Sequence, residues 1–240
     1  MAASLGQEKT RAHVEMLSQS VRDYEKRLSS AQRWPWKRAE VQKLQYELAQ
    51  TLVVLGINQC VLEQASKARE AFVRAVSIAG ERFAGSDRLY LGYHDVQVMA
   101  AGAVAGSWAA TEAAAVNALR VSGGNRREDI VNTGSRAILG WMCRDSVVVK
   151  DVKQIADDGA LRQFALWIEI ATAAMNKDKS ALESSFGALT EMVANEVKRG
   201  DFKYSEDRLA YLPGQLIVLL AQRDGMLLDV PEQEWWRLCF

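Results

Sequence analysis

A chain of 240 residues with 49% apolar and 25% charged side chains has the make-up of a packed globular protein, which excludes a disordered or fibrous one. Thirty basic residues balance thirty acidic ones, so no global field draws the chain toward nucleic acid or an anionic bilayer. The longest uncharged stretch, Val96 to Thr111, is shorter than the roughly 20 apolar residues a membrane span needs, and neither a nucleic-acid nor a membrane partner is expected.

Three prolines, with long runs of Ala, Leu, Gln, Glu, Arg and Lys, favour helix almost throughout. From Gln7 to Ser29 the apolar positions Val14, Leu17, Val21, Tyr24 and Leu28 step by three and four, which puts them on one stripe of a first helix. Pro35 suits a first helical turn, and Val41, Leu44, Leu48, Leu52 and Leu55 carry a second helix to a stop at Gly56. A third runs from Cys60 to about Ala79, with Ala68, Phe72, Ala75, Val76 and Ala79 on one side and Gly80 as its stop. These two form an antiparallel hairpin.

Asp87 is the expected cap of a fourth helix reaching about Ala105, and a fifth runs through Ala109 to Val121 before Gly123 and Gly124. Gly102 and Gly106 predict a seam where helix axes come close. Asn125 and Glu128 have the spacing of a capping pair for a helix through Ile130, Ile138 and Trp141. A short helix over Asp145 to Ala156 and a turn at Asp157, Asp158 and Gly159 follow, and Leu161, Phe164, Ala165, Ile168 and Ala171 line the next helix. Lys179 to Lys198 makes another, closed by Gly200. In the last element, Tyr204 to Arg223, Pro213 places a helix boundary at Leu212. The tail from Gly225, with Leu227, Leu228, Val230, Pro231, Trp235, Trp236, Leu238 and Phe240, is too apolar for a free end and is expected to fold back and dock.

The expected fold is therefore all-α: an irregular multi-helix bundle, or a solenoid of antiparallel hairpins, of about nine to eleven helices. It is one domain over 1–240, and 123–125 is where it would subdivide. Ala68, Phe72 and Ala75 have the spacing of the second helix of a tetratricopeptide repeat, but the pattern does not recur.

Chemistry is sparse. The only histidines are His13 and His94, which rules out a site built from several imidazoles. The pair His94 and Asp95 has the form of the metal-binding pair of helical phosphohydrolases, without their further ligands. Asp157 and Asp158 lack a third carboxylate one turn on and read as a turn. Glu-x-x-His, GxGxxG and Gly-Lys-Ser/Thr motifs are missing from the sequence, so no catalytic residue, cofactor or metal is expected. Cys60, Cys143 and Cys239 are widely spaced, without a CxxC pair; they are read as reduced thiols of a cytosolic protein. Cys143 beside Arg144 is read as a structural thiol ahead of a stabilised thiolate.

Seven tryptophans include two close pairs, Trp34 with Trp36 and Trp235 with Trp236. Each pair is read first as an end-closer of the core and second as an anchor for a partner. Mixed charges at Arg126, Arg127, Glu128 and Asp129 would select a complementary surface. Trp235, Trp236, Arg126, Arg127, Asp157 and Asp158 are the candidate partner-binding residues.

Trp34-Pro35-Trp36 leading into a long helix, the Ala-rich middle, and Tyr211-Leu212-Pro213-Gly214-Gln215-Leu216-Ile217-Val218-Leu219-Leu220-Ala221 followed by Gly225 give the chain a layout that resembles immunity proteins of bacterial polymorphic toxin systems, of the immunity-49 type. The resemblance implies an all-helical cytoplasmic protein that binds and neutralises a cognate secreted toxin in the producing cell. It carries over no catalytic residue and no contact surface. The alternative expectation is a non-catalytic tetratricopeptide-like adapter. An enzyme in an unusual helical fold, using His94, Asp95, Asp157 and Asp158, is the third.

Overall fold

The computed structural model describes residues 2–122, 130–145, 161–200 and 209–230. Among them are nine α-helices and no strand: α1 (Ala2–Ala31), α2 (Arg38–Val61), α3 (Ala65–Ala84), α4 (Tyr93–Val104), α5 (Trp108–Ser122), α6 (Ile130–Met142), α7 (Arg162–Met175), α8 (Lys179–Arg199) and α9 (Leu212–Arg223). One 3-10 turn, Pro35–Lys37, joins α1 to α2. The all-α class is as expected.

In α1 the residues Leu17, Val21 and Leu28 are buried against α2 and its neighbours, as the three-and-four stepping requires. The α2 helix lies between α1 and α3 and is buried almost all round from Leu44 to Gln59. Gly56 does not end it. A Cβ at Gly56 would stand 2.3 Å from Cε1 of Phe72, so this glycine admits the Phe72 ring into the α2–α3 seam.

The chain turns instead at Leu62, Glu63 and Gln64, with Glu63 left-handed at φ 58°. The Gln64 amide donates to the Gln59 carbonyl at 2.9 Å and the Glu63 amide to the Cys60 carbonyl at 2.9 Å. This is a helix C-terminal closure with glutamate where glycine is the usual choice. Gly80 likewise sits inside α3, where a Cβ would make an ordinary 3.6 Å contact with Ala114 of α5, and the helix ends at Ala84.

The fourth helix starts at Tyr93, six residues beyond the expected cap at Asp87. Asp87 is exposed and pairs with Arg38 at 3.1 Å. The α4 start is held by Asp95, whose Oδ2 accepts from the Gly92 amide at 2.9 Å. The stretch before α4 is pinned sideways: Leu89 donates to the Val121 carbonyl at 3.0 Å and Leu91 to Asn132 Oδ1 at 3.0 Å.

From Asp95 to Ala103 every residue of α4 is buried, because the helix packs on α2, α3, α5, α6 and α9. A helix enclosed on all sides is apolar all round, which accounts for the uncharged run that begins at Val96. Gly102 makes the expected close approach: a Cβ there would lie 2.5 Å from Thr111 Oγ1 and 3.0 Å from Val76 Cβ. Gly106 does not share that role. It takes φ 78° in the α4–α5 turn and has open space around its Cβ position.

The chain then runs α5 to α6 to α7 to α8, each packed on the one before. Gly134 of α6 meets α7 so closely that a Cβ would be 2.7 Å from the Phe164 carbonyl oxygen. Trp167 of α7 is fully buried, stacked on Tyr93 of α4 at 5.9 Å between ring centroids. Asp178 caps α8 by accepting from the Ala181 amide at 3.0 Å, and α8 ends at Gly200 as expected.

Leu212 begins α9 with Pro213 in its first turn, as the sequence predicts. Leu212, Leu216, Ile217, Val218, Leu220 and Ala221 are all buried, each large side chain contributing about 1.5–3 kcal/mol of transfer free energy. The α9 helix packs on α4, so two largely buried helices lie together in the interior. The result is an irregular bundle with one core cluster drawn from α1 through α9.

Past α9, Met226 is buried and Leu228 packs against the core, while Leu227 and Val230 are exposed. The docking expected for the tail is thus seen for Met226 and Leu228. The expected cap at Asn125 and Glu128, nearly all of the 145–156 helix, the 157–159 turn, residues 204–208 and the tail from Pro231 lie outside the described residues. Asp145 is described and is not helical.

Candidate functional site: an exposed tryptophan corner

All six residues expected to face a partner, Arg126, Arg127, Asp157, Asp158, Trp235 and Trp236, lie outside the described residues, as does Cys239. The remaining sequence candidates are placed.

Asp95 is buried in an ion pair with Arg82, Nη1 to Oδ1 2.8 Å, and its second oxygen caps α4. Arg82 also lies over the Tyr46 ring at 4.7 Å. Both oxygens of this carboxylate are engaged in holding the fold, one on Arg82 and one on the start of α4. His94 Nδ1 contacts Gln97 Oε1 at 3.2 Å, and its ring meets Tyr93 edge-on. His13 is on α1, which packs on α2. Among the described residues no three His, Cys, Asp or Glu side chains come together as a metal site.

Cys143 follows the last turn of α6 and is half-buried. Burial, with Glu112 and Asp145 nearby, pushes its thiol up to about 11 against the opposing pull of Arg223. It is a protonated thiol at neutral pH and a poor nucleophile. The neighbouring Arg144 turns away: it is left-handed at φ 53° and its guanidinium reaches toward Asp224 at 3.7 Å.

Around this helix end the decisive side chain is Arg223, which no local sequence signal announces. Its Nη1 donates to the Met142 carbonyl at 2.9 Å and to Glu112 at 3.1 Å, and its Nη2 to the Trp141 carbonyl at 3.2 Å. A cation on the terminal carbonyls of α6 satisfies acceptors that have no helical partner. Trp141 Nε1 donates to Asp224 at 2.7 Å, which completes the tie between α6 and α9. A cleft of about 550 Å³ opens beside Trp141, Met175, Arg223 and Met226. On the other side, Arg136 donates to the Leu119 carbonyl at 3.1 Å and Ser122 Oγ at 2.6 Å, and burial lowers its pKa while Asp145 opposes. These arginines close helix ends.

Of the two close tryptophan pairs in the sequence, the one within the described residues overturns its first reading. Trp34 is 48% exposed and Trp36 74% exposed, so they do not close the core. Pro35 between them turns the chain outward. The Trp34 amide donates to the Ala31 carbonyl at 3.1 Å and the Lys37 amide to the Trp34 carbonyl at 3.0 Å, holding the turn. The indoles contact one another, centroids 4.9 Å apart and planes 40° apart.

Behind them Arg38 donates through Nε and Nη2 to the Gly85 carbonyl at 3.1 and 2.6 Å, and Gln42 donates to the same oxygen at 3.2 Å. The corner is therefore bolted to the end of α3. Taking about 250 Å² for a whole tryptophan side chain, roughly 300 Å² of indole stands in water. A patch of that size on a monomer is commonly functional. No residue-level signal separates an outward Trp-Pro-Trp from an inward one; the deciding contacts come from Gly85, 47 residues away from Arg38.

No protein-family model, curated protein or solved structure matches this chain.

Proposed function

We propose that this chain is a protein-binding protein whose Trp34–Trp36 corner anchors a macromolecular partner, and that its role is that of an immunity protein: it binds and neutralises a cognate secreted toxin in the cytoplasm of the producing cell. The observation that carries the binding role is the rigid, exposed indole pair on a scaffold otherwise well packed. Tryptophan is over-represented among residues whose truncation costs a complex more than about 2 kcal/mol, and a preformed turn reduces the ordering cost on association. The immunity role is supported by the Trp-Pro-Trp and Tyr211-to-Ala221 resemblance. In line with a non-catalytic role, Asp95 is committed to Arg82 and Gly92, and the Cys143 thiol is held protonated.

The test is co-expression with the toxin-like product of the neighbouring gene. Growth rescue and a stable complex burying more than about 1,000 Å² in total are expected. If that product is toxic and the chain neither binds nor protects against it, the immunity reading fails.

A further inference from the structure

We infer that the Trp34–Trp36 corner is shaped for an acidic protein surface with an apolar recess, an inference that rests on the protein-binding reading above. From Lys26 to Arg38 the chain carries Lys26, Arg27, Arg33, Lys37 and Arg38 and no carboxylate. Two of the five are neutralised: Lys37 pairs with Glu40 at 3.1 Å and Arg38 with Asp87 at 3.1 Å. Lys26, Arg27 and Arg33 are exposed and make no ion pair among the described residues, Arg27 lying instead over the Tyr24 ring at 5.7 Å. In a chain of zero net charge this is a run of positive charge that leads along the end of α1 into the exposed indoles. Complementary charge around an aromatic knob selects a carboxylate-bearing rim around an apolar pocket, because like charges opposed across an interface are costly.

Two other anionic partners fit less well. Attachment to a bilayer scales with the apolar area inserted, and beyond the two rings the adjoining exposed positions, Ser29, Ser30, Gln32, Arg33, Pro35 and Ala39, include no large apolar side chain. Single-stranded nucleic acid is held by a groove of cations that tracks the backbone, with ring faces open to bases. Here the rings protrude and partly cover each other.

The test is a selection from a random dodecapeptide phage library on the immobilised full chain, after depletion on a Trp34→Ala/Trp36→Ala chain. The expected outcome is enrichment of peptides in which Asp and Glu flank Phe, Leu or Trp. Their affinity should fall at least tenfold for an Arg27→Glu/Arg33→Glu chain, and it should fall as salt is raised. Two exposed substitutions leave the core untouched, and far-ultraviolet dichroism checks that both variant chains are folded. No enrichment, or enriched peptides without acidic residues, overturns the inference. So does tryptophan-dependent binding to phosphatidylglycerol vesicles or to a thymidine oligonucleotide in place of peptides. The co-expression experiment separates the two readings: rescue that survives Arg27→Glu/Arg33→Glu but is lost with Trp34→Ala/Trp36→Ala defeats the acidic-partner inference and leaves the immunity role standing.

Discussion

Replacing Asp95 tests whether this residue holds the fold or serves a site. Asp95 and Arg82 have side chains only 5% and 10% exposed, so each charge relies on the other for the solvation it has lost. Removing one partner of a buried pair costs about 3–5 kcal/mol, because the survivor stays buried and uncompensated. Asp95→Ala also removes the acceptor for the Gly92 amide, which adds about 1 kcal/mol for the lost cap. Asp95→Asn keeps an acceptor for that amide and loses only the charge, so about 2–3 kcal/mol is expected. The double variant Arg82→Met/Asp95→Asn removes both charges, keeps the cap, and leaves an apolar side chain over the Tyr46 ring; it should lie within about 1–2 kcal/mol of the wild type. In a chain of this size each kcal/mol moves the melting temperature by roughly 2–4 °C. Thermal or urea unfolding therefore orders the variants as Asp95→Ala weakest, Asp95→Asn next, and the double variant nearest to wild type. A double variant as unstable as the sum of its singles would falsify the keystone role.

Glycine substitutions should change sign with position. Gly187 of α8 is exposed with nothing near its Cβ position, so Gly187→Ala should stabilise by up to about 1 kcal/mol, whereas Gly134→Ala drives a methyl into the Phe164 backbone and should cost about 1–3 kcal/mol in urea unfolding. Alkylation of Cys143 in a Cys60→Ser/Cys239→Ser chain should rise with a midpoint near 11; a midpoint at the ordinary thiol value would show that burial does not hold the proton. Because the folded thiol binds its proton more tightly than the unfolded one, the stability it contributes is fully present below the ordinary value of 9.0. That contribution is lost as pH rises through about 11, a loss that Cys143→Ala should remove from the stability profile. Trp36→Ala should leave the unfolding midpoint nearly unchanged, since most of the side chain is already in water; a large destabilisation would mean that the ring supports the fold.

Helix positions are largely legible because three-and-four stepping reports which face is buried; for α8 and the Pro213 start of α9 the periodic and boundary signals agree, whereas α1 begins at Ala2, five residues before the expected Gln7. Boundaries are not legible where a glycine lies in mid-helix. Gly56 lies inside α2 because the Phe72 ring of α3 needs the space, while Gly80 lies inside α3 facing Ala114 of α5 at an ordinary contact distance; both neighbours are far away in sequence. The actual ends after α2, α6 and α7 use Glu63, Arg144 and Lys177 in the left-handed region, residue types that announce nothing locally. The cap of α4 was misread for a similar reason: Asp87 is a good cap chemically, but Arg38 takes it and Asp95 serves instead. The uncharged run from Val96 was visible in the sequence, yet its meaning, a helix enclosed by five others, is a property of the assembled bundle. The candidate site was the least readable feature, since Trp34 and Trp36 have the same composition signal whether they face the core or water.

The most direct measurement is the affinity between the purified chain and the cognate toxin that the proposed immunity role requires, compared for wild type and Trp34→Ala/Trp36→Ala. Burial of roughly 300 Å² of indole at about 25 cal/mol/Å² is worth about 7 kcal/mol before association costs, so even a modest net share of about 2 kcal/mol predicts a loss of about thirtyfold or more. The account predicts that loss, together with loss of growth protection, in a double variant that remains folded. A folded double variant that binds and protects as well as the wild type contradicts it.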